Sequence, residues 1–66
     1  MRITVNGEQK TFRKDLTIAL LISKYRLKKE SVAVELNHKI IKKADYEKSI
    51  LRDNDRVEIV HFVGGG

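Results

Sequence analysis

Only one stretch of this sequence has helical periodicity, and segments with strand-like alternation lie on both sides of it. Between positions 18 and 25, apolar residues fall at i, i+3, i+4 and i+7, which is one apolar stripe of a two-turn helix. The stripe consists of Ile18, Leu21, Ile22 and Tyr25. Thr17 can cap the helix, because its hydroxyl can accept a hydrogen bond from an otherwise unpaired first-turn amide. A helix with one apolar stripe must pack that stripe on another layer, so we expect it to cover a sheet.

The N-terminal segment has the pattern of a β-hairpin. Residues Met1 to Val5 alternate between apolar and polar side chains, as a half-buried strand does. Asn6 and Gly7 follow, and both tolerate the positive φ of a type I′ turn. The second strand is therefore predicted at about Gln9 to Arg13, antiparallel to the first, with Phe12 facing the core.

Alternation returns after the helix. Val32 to Leu36 reads as a third strand, and Asn37 with His38 forms a turn. Ile40 and Ile41 then form a very short strand. These patterns predict a second hairpin.

A polar connection leads from this hairpin to the last strand. Residues Ala44 to Lys48 are predicted as a single helical turn, and Tyr46 and Ile50 are expected to anchor it to the core. The sequence Asp53 to Asp55 is a turn cluster, in which Asn54 accepts a left-handed conformation best. The last strand should begin directly after this turn.

The last strand is predicted to run from Arg56 to Val63 and to continue into a glycine tail. Alternation puts Val57, Ile59, His61 and Val63 on one face and Arg56, Glu58, Val60 and Phe62 on the other. The second face is the outer one, and it begins charged and becomes apolar towards its end. Residues 64–66 are all glycine, so we expect a folded domain at 1–63 and a flexible tail at 64–66.

Size and composition exclude several classes of protein. With 66 residues, 41% apolar and 35% charged, the chain fits one small soluble domain with little room for an internal catalytic cavity. No apolar run approaches the ~20 residues that cross a bilayer. The N-terminus begins as a strand, so no signal peptide is expected. The absence of cysteine excludes a disulfide scaffold and a thiolate zinc site, and the cytoplasm is the expected compartment.

Catalytic and metal-binding patterns are also missing from the sequence. His38 and His61 have no companions at metal-ligand spacing, so no metal site is predicted. The sequence suggests neither a Ser/His/Asp combination nor a glycine-rich phosphate loop. The chain is therefore not expected to be an enzyme.

The order of hairpin, helix, strand, short strand, turn and strand is that of an α+β, β-grasp (ubiquitin-like) fold, with a mixed four- to five-stranded sheet packed on one main helix. Five segments carry a closer likeness: Ile3-Thr4-Val5-Asn6-Gly7, Thr17-Ile18 with Leu21-Ile22, Leu36-Asn37 with Ile40-Ile41, Asp53-Asn54-Asp55, and Val57 to Gly66. In this order they resemble the ThiS family of sulfur carriers, over essentially all 66 residues. The fold implies that the first and last strands pair centrally and bury Ile3, Val5, Val57 and Ile59.

Two features depart from the family pattern. The family turn usually reads Asp-Gly-Asp where Asn54 stands here, and Asn keeps the capacity for positive φ. The formal net charge of +5 is also more basic than the family leads us to expect, and it leaves the identity of the docking surface open.

The resemblance implies a sulfur carrier for thiazole formation in thiamine biosynthesis. A ubiquitin-activating-like adenylyltransferase would use MgATP to adenylate the C-terminal carboxylate of Gly66, which then becomes a thiocarboxylate that donates sulfur. The tail of Gly64, Gly65 and Gly66 would enter the partner's active site, because only glycine lets bare backbone pass without a Cβ. Val60 and Phe62 are the expected docking patch. A thiazole synthase and a sulfur donor of the cysteine desulfurase type are the other implied partners, and the chain itself is expected to bind no cofactor.

Two alternatives stay open. The tail would equally suit a carrier for another sulfur pathway, such as the small subunit of molybdopterin synthase. A basic β-grasp domain could also bind RNA, with salt-dependent affinity. Its basic residues would be Lys24, Arg26, Lys28, Lys29, Lys39, Lys42 and Lys43. Because Phe12, Tyr25 and Tyr46 are predicted in the core, few aromatic rings remain for base stacking, and nucleic acid is not the expected partner.

Overall fold

The computed structural model describes residues 1–62, which form a five-stranded sheet and one α-helix. The strands are β1 (Arg2–Val5), β2 (Glu8–Thr11), β3 (Val32–Leu36), β4 (Lys39–Ile41) and β5 (Arg56–His61), and the helix is α1 (Ile18–Lys24). Two short 3-10 turns, Lys29–Ser31 and Lys43–Asp45, precede β3 and follow β4. The strand order is β2-β1-β5-β3-β4, with β1 and β5 parallel and the other neighbours antiparallel.

This arrangement confirms the predicted β-grasp fold. The first and last strands are neighbours inside the sheet, with Val5 opposite Val57. Ile3, Val5, Val57 and Ile59 are all buried in one cluster with the apolar residues of α1. The helix stripe therefore covers the centre of the sheet, and β5 is held between two strands.

The helix begins as predicted but ends one residue early. The Thr17 hydroxyl accepts a hydrogen bond from the Leu20 amide at 3.1 Å, so the predicted cap is confirmed. The stripe residues inside the helix are buried. Tyr25, however, caps the C-terminus and is 38% exposed, so its prediction as a core residue is wrong. The chain turns away at Arg26, whose φ is 59°, so no further helical turn carries the Tyr25 ring over the sheet.

The turns form where asparagine and glycine predict them. Asn6 and Gly7 have φ of 49° and 84°, as a type I′ turn requires. Asn37 and His38 also have positive φ, of 52° and 72°, between β3 and β4. Asn54 has φ of 71°, in agreement with its predicted left-handed conformation. The three turns therefore form at residues that tolerate a positive φ, and each of them contains an asparagine.

Predicted boundaries and anchors need three corrections. The second strand ends at Thr11 instead of Arg13, and Phe12 follows it as a half-buried residue against the core. Ile50 is 54% exposed, so its prediction as a core anchor is wrong. The residue pairs with Thr17 in a β-bridge, and the side chain of the next residue, Leu51, is buried in its place. Tyr46 is buried as predicted. The last strand ends at His61, so Phe62 lies beyond it instead of within it, and Val63, the end of the predicted span, lies outside the described residues.

Candidate functional site

The predicted reactive tail of Gly64, Gly65 and Gly66 lies outside the described residues. The part of the candidate site that the structure describes is the end of β5, which precedes the tail in the sequence. At the last described residue, the Phe62 amide still donates a hydrogen bond to the Ser31 carbonyl at 2.8 Å. The strand end is consequently attached to β3 as far as His61 and, at Phe62, to the 3-10 turn that precedes β3.

The two edges of β5 are held in different ways. On the β3 edge, backbone pairing continues from Leu36 opposite Val57 to Val32 opposite His61. On the β1 edge, strand pairing stops at Val57, because its partner Val5 is the last residue of β1 and the chain then turns away. The Asn6 side chain then takes over: its Oδ1 accepts from the Ile59 amide at 2.7 Å, and its Nδ2 donates to the Ile59 carbonyl at 3.2 Å.

The predicted docking residues lie on the face of β5 opposite the helix. Val60 and Phe62 are 55% and 58% exposed, so neither is needed to fill the core. Ile40 on β4 is 78% exposed. It is opposite Glu35 on β3, and Glu35 is opposite Glu58 on β5, so cross-strand register puts Ile40 on the same face.

We call this surface the outer patch and define it as Ile40, Val60 and Phe62 with the carboxylates of Glu35 and Glu58. It combines apolar side chains with two negative charges on a chain whose formal net charge is +5. The sequence predicts Val60 and Phe62 as the docking residues and places Glu58 and Arg56 on the same outer face, but it does not identify Ile40 or Glu35 as their neighbours. The available signal was the two-residue Asn37-His38 turn, which fixes the register between β3 and β4 and hence their shared face.

A shallow cleft lies on the other face of the strand end. Asn6, Tyr25, Leu27, Ile59 and His61 contribute to its walls. His61 is on the predicted inner face but is exposed, and it lines the cleft together with Tyr25 and Leu27, which follow the helix in the sequence. The end of β5 is therefore accessible on both faces, whereas its middle is covered on one.

The basic residues proposed for RNA binding are not equally available. The Lys43 ammonium donates to the carbonyls of Lys29 and Val32 at 2.9 and 2.6 Å, and it lies 5.8 Å from the centre of the Tyr46 ring. This lysine ties the two 3-10 turns together. The exposed ring of Tyr25, by contrast, supplies a stacking surface that the sequence did not predict.

Among residues 1–62, no three His, Asp or Glu side chains are close enough together to hold a metal ion. The one helix of this part of the chain is too short to cross a bilayer.

Comparison with known proteins gives a consistent match over the whole chain. The sequence model of the ThiS family matches residues 3–66. The sulfur carrier protein ThiS of Bacillus subtilis (strain 168) is 45% identical over 65 residues, which is 97% of this chain and 98% of that protein. The crystal structure of the thiamine biosynthesis protein ThiS from Geobacter metallireducens superposes with a TM-score of 0.84 at 33% identity, covering 100% of both chains.

A second kind of relative is much longer. A thiazole synthase of Paramagnetospirillum magneticum is 36% identical over 66 residues, which is 100% of this chain but only 20% of that protein. The chain therefore spans about a fifth of the length of this relative. The match to the family model, the identity to the Bacillus protein and the shared fold agree, and the chain belongs to the ThiS family.

Proposed function

We propose that this protein carries sulfur for thiazole formation in thiamine biosynthesis, with the C-terminal carboxylate of Gly66 as the acceptor. The observation that carries the proposal is the family match, which extends through the glycine tail to residue 66. The name of the Bacillus relative, a sulfur carrier protein, supports the same role. The proposed compartment is the cytoplasm, because the activation consumes ATP.

The chemistry begins with a poor electrophile, since a carboxylate delocalises its charge and has no good leaving group. In the proposed first step, a Gly66 carboxylate oxygen attacks the α-phosphorus of MgATP, an acyl-phosphate bond forms, and pyrophosphate leaves. The persulfide of the sulfur donor then attacks the carbonyl carbon through its outer sulfur and expels AMP. A thiol reductant cleaves the S–S bond of the resulting acyl disulfide, and a disulfide between the thiol and the donor is formed. The product is a thiocarboxylate whose sulfur can be passed to an acceptor.

The catalytic groups for both steps belong to a partner in this proposal. A ubiquitin-activating-like adenylyltransferase would supply the ATP site, and a donor of the cysteine desulfurase type would supply the sulfur. The carrier's own contribution is geometric: Gly64, Gly65 and Gly66 carry no side chain that could block a narrow active-site entrance. The firm attachment of β5 gives this tail a defined starting point.

The outer patch is the proposed docking surface for the adenylyltransferase. Val60 and Phe62 are exposed apolar residues four and two positions before the tail, so a partner that binds them could also receive Gly66. The carboxylates of Glu35 and Glu58 favour a partner surface with basic side chains. A thiazole synthase is the proposed sulfur acceptor. This proposal is supported by the thiazole synthase of which about a fifth is similar to this chain.

The proposal is tested by co-expressing the protein with its adenylyltransferase and sulfur donor and measuring the intact mass under reducing conditions. Replacement of one carboxylate oxygen by sulfur raises the mass, and thiol-selective alkylation with fragmentation assigns the change to Gly66. The protein expressed without the adenylyltransferase is the control. A labelled Gly66 supports the carrier role, and transfer of the sulfur to a thiazole synthase separates it from other sulfur pathways. Unmodified protein that binds RNA in a salt-sensitive manner would contradict it.

A further inference from the structure

Asn6 occupies an unusual place at the end of the central parallel pair. The chain leaves β1 at Val5 and reverses through Asn6 and Gly7, so residues 58–61 of β5 extend beyond the last β1 partner. Without a substitute, this edge of β5 would present backbone groups that no strand pairs. The Asn6 side chain supplies that substitute.

The contacts of Asn6 reproduce those of a missing strand residue. Its backbone amide donates to the Val57 carbonyl at 2.9 Å, which completes the regular ladder. Its side-chain amide then bonds both backbone groups of Ile59, accepting at 2.7 Å and donating at 3.2 Å. Only one orientation of the amide satisfies both bonds, because the Ile59 amide needs an acceptor and the Ile59 carbonyl needs a donor.

Few residues can do this at position 6. The φ of 49° favours glycine, asparagine or aspartate. Glycine has no side chain to reach Ile59, and aspartate offers acceptors only. Asparagine alone among these three both adopts the turn and bonds the amide and the carbonyl of Ile59.

We infer that Asn6 is a positioning residue for the proposed reaction: its side-chain amide holds the β1 edge of β5 at Ile59, beyond the last β1 residue, and so fixes the strand end that precedes the tail in the sequence. Ile59 lies five residues before Gly64 in the sequence, and the residues between them include Val60 and Phe62 of the outer patch. With the Asn6 bonds, the strand end is held on its β1 edge as well as on its β3 edge, so the docking residues are presented in one arrangement. Without them, the β1 edge of the strand end would have to be ordered during binding, at a cost in affinity.

This inference rests on the proposed function, because it assigns Asn6 to the delivery of the reacting tail. It is separate from a purely structural role, which predicts a loss of stability without a selective effect on activation. The chain contains a matched control for that distinction. Asn37 also has positive φ, its Oδ1 accepts from the Arg56 amide at 2.9 Å, and its Nδ2 donates to Asp55 at 3.0 Å, so it holds the beginning of β5 instead of its end.

The test compares Asn6→Gly with Asn37→Gly, two variants that keep the positive-φ turn and remove two side-chain hydrogen bonds each. We measure amide hydrogen exchange by NMR and the kcat/KM of adenylation by ATP–pyrophosphate exchange with the adenylyltransferase, at a temperature where both variants are folded. Asn6→Gly should speed exchange of the Ile59 amide and lower kcat/KM, each by about tenfold, since the net effect of two hydrogen bonds is of that order. Asn37→Gly should expose the Arg56 amide and leave kcat/KM within about twofold.

Equal losses of kcat/KM in the two variants would overturn the inference, and so would unchanged exchange of the Ile59 amide in Asn6→Gly. Asn6→Asp gives an independent reading if the glycine variant is poorly folded, because it keeps the turn and the bond from the Ile59 amide but turns an acceptor towards the Ile59 carbonyl. It should also lower kcat/KM, and wild-type kinetics would contradict the assignment. If the wild-type chain is never adenylated, the proposed function fails, and the exchange data alone decide whether Asn6 holds the strand end.

Discussion

Phe62 is an exposed aromatic residue two positions before the glycine tail, and its side chain is 58% accessible to solvent. Phe62→Ala should weaken binding of the adenylyltransferase by about tenfold or more, since aromatic anchors near the centre of an interface carry much of its energy. The free energy of unfolding should change by less than about 1 kcal/mol, because the ring is mostly outside the core. Calorimetric titration and thermal unfolding measure the two effects.

The matched control is Leu20→Ala, which truncates a helix residue that is 52% exposed and lies away from the outer patch. It should leave the affinity unchanged. An unaltered affinity in Phe62→Ala together with a lower melting temperature would assign Phe62 to the fold and not to the interface.

Lys43 is a surface lysine with a structural task. Its ammonium donates to two backbone carbonyls, those of Lys29 and Val32, and so joins the two 3-10 turns. Lys43→Met should therefore lower the free energy of unfolding by about 1 kcal/mol, as expected for hydrogen bonds at a partly accessible site. Urea titration measures this change, with Lys42→Met as a control at an exposed neighbour. Equal stability of the two variants would contradict the role given to Lys43.

Tyr46 is the buried aromatic residue that anchors the connection before β5. Burial raises the pKa of its phenol above the ordinary value of 10.0, and a backbone hydrogen bond at Val34 lowers it in part. The unfolded chain therefore loses this proton at a lower pH than the folded chain. The free energy of unfolding should accordingly be insensitive to this group at neutral pH and fall as the pH rises through about 10.

Tyr46→Phe removes the titrating phenol, so the fall in stability above that pH should become smaller than in the wild type. Denaturant titrations at several pH values measure the slope. Tyr25→Phe serves as the control, because it retains Tyr46 and should keep the wild-type fall. Identical slopes in all three proteins would show that the Tyr46 phenol does not contribute.

At the scale of elements, the sequence predicts those helices and turns whose conformation depends on residues close to each other along the chain. The capped helix and the turns at Asn6-Gly7, Asn37-His38 and Asn54 follow from local propensity, and the structure confirms them. The prediction that Tyr25 and Ile50 lie in the core is wrong, because their burial depends on where α1 stops and on how the segment before β5 bridges to Thr17. Periodicity alone contains neither fact.

The site shows the same division between local and distant determinants. Alternation along β5 was enough to identify Val60 and Phe62 as outward-facing. The bonds from Asn6 to Ile59 join residues 53 positions apart, and no pattern along the chain signals them. The central place of β5 followed from the fold resemblance, not from any residue in the strand.

The cross-strand pair Glu35 and Glu58 is an element-level feature whose cost can be measured. The two carboxylates are directly opposite on β3 and β5, where like charges destabilise a sheet. Glu58→Gln should therefore raise the free energy of unfolding by about 0.5 kcal/mol, and added salt should reduce the gain. Denaturant titration at low and high salt measures both effects. Glu47→Gln, at an exposed position outside the sheet, is the control.

If this pair serves the docking of a basic partner, the same Glu58→Gln variant should bind the adenylyltransferase more weakly and with less salt dependence. A more stable variant that binds less well would mean that the repulsion is retained for recognition. Unchanged affinity would mean that only the apolar residues of the outer patch contribute to docking.

At the scale of the whole molecule, folding and reaction are assigned to separate parts of the chain. In the described part of the chain, residues 1–62, the core cluster is drawn from the sheet, the helix and the connections between them, whereas the proposed reacting group belongs to Gly66. Substitutions in the tail should therefore affect activation without affecting stability. Gly7, by contrast, is a glycine on which the fold depends. Its φ of 84° is unfavourable for any residue with a Cβ, although a Cβ added there would have no atom within 4 Å.

Gly66→Ala, or one extra residue after Gly66, should reduce adenylation by at least about a hundredfold, because a misplaced carboxylate no longer meets the α-phosphate in line. Both variants should melt at the wild-type temperature, whereas Gly7→Ala should lose about 1 kcal/mol of stability. Pyrophosphate exchange and thermal unfolding measure the two properties separately. Normal activation of either tail variant would remove Gly66 as the reacting residue, because an active site that admits a side chain or a longer chain there does not select a terminal glycine.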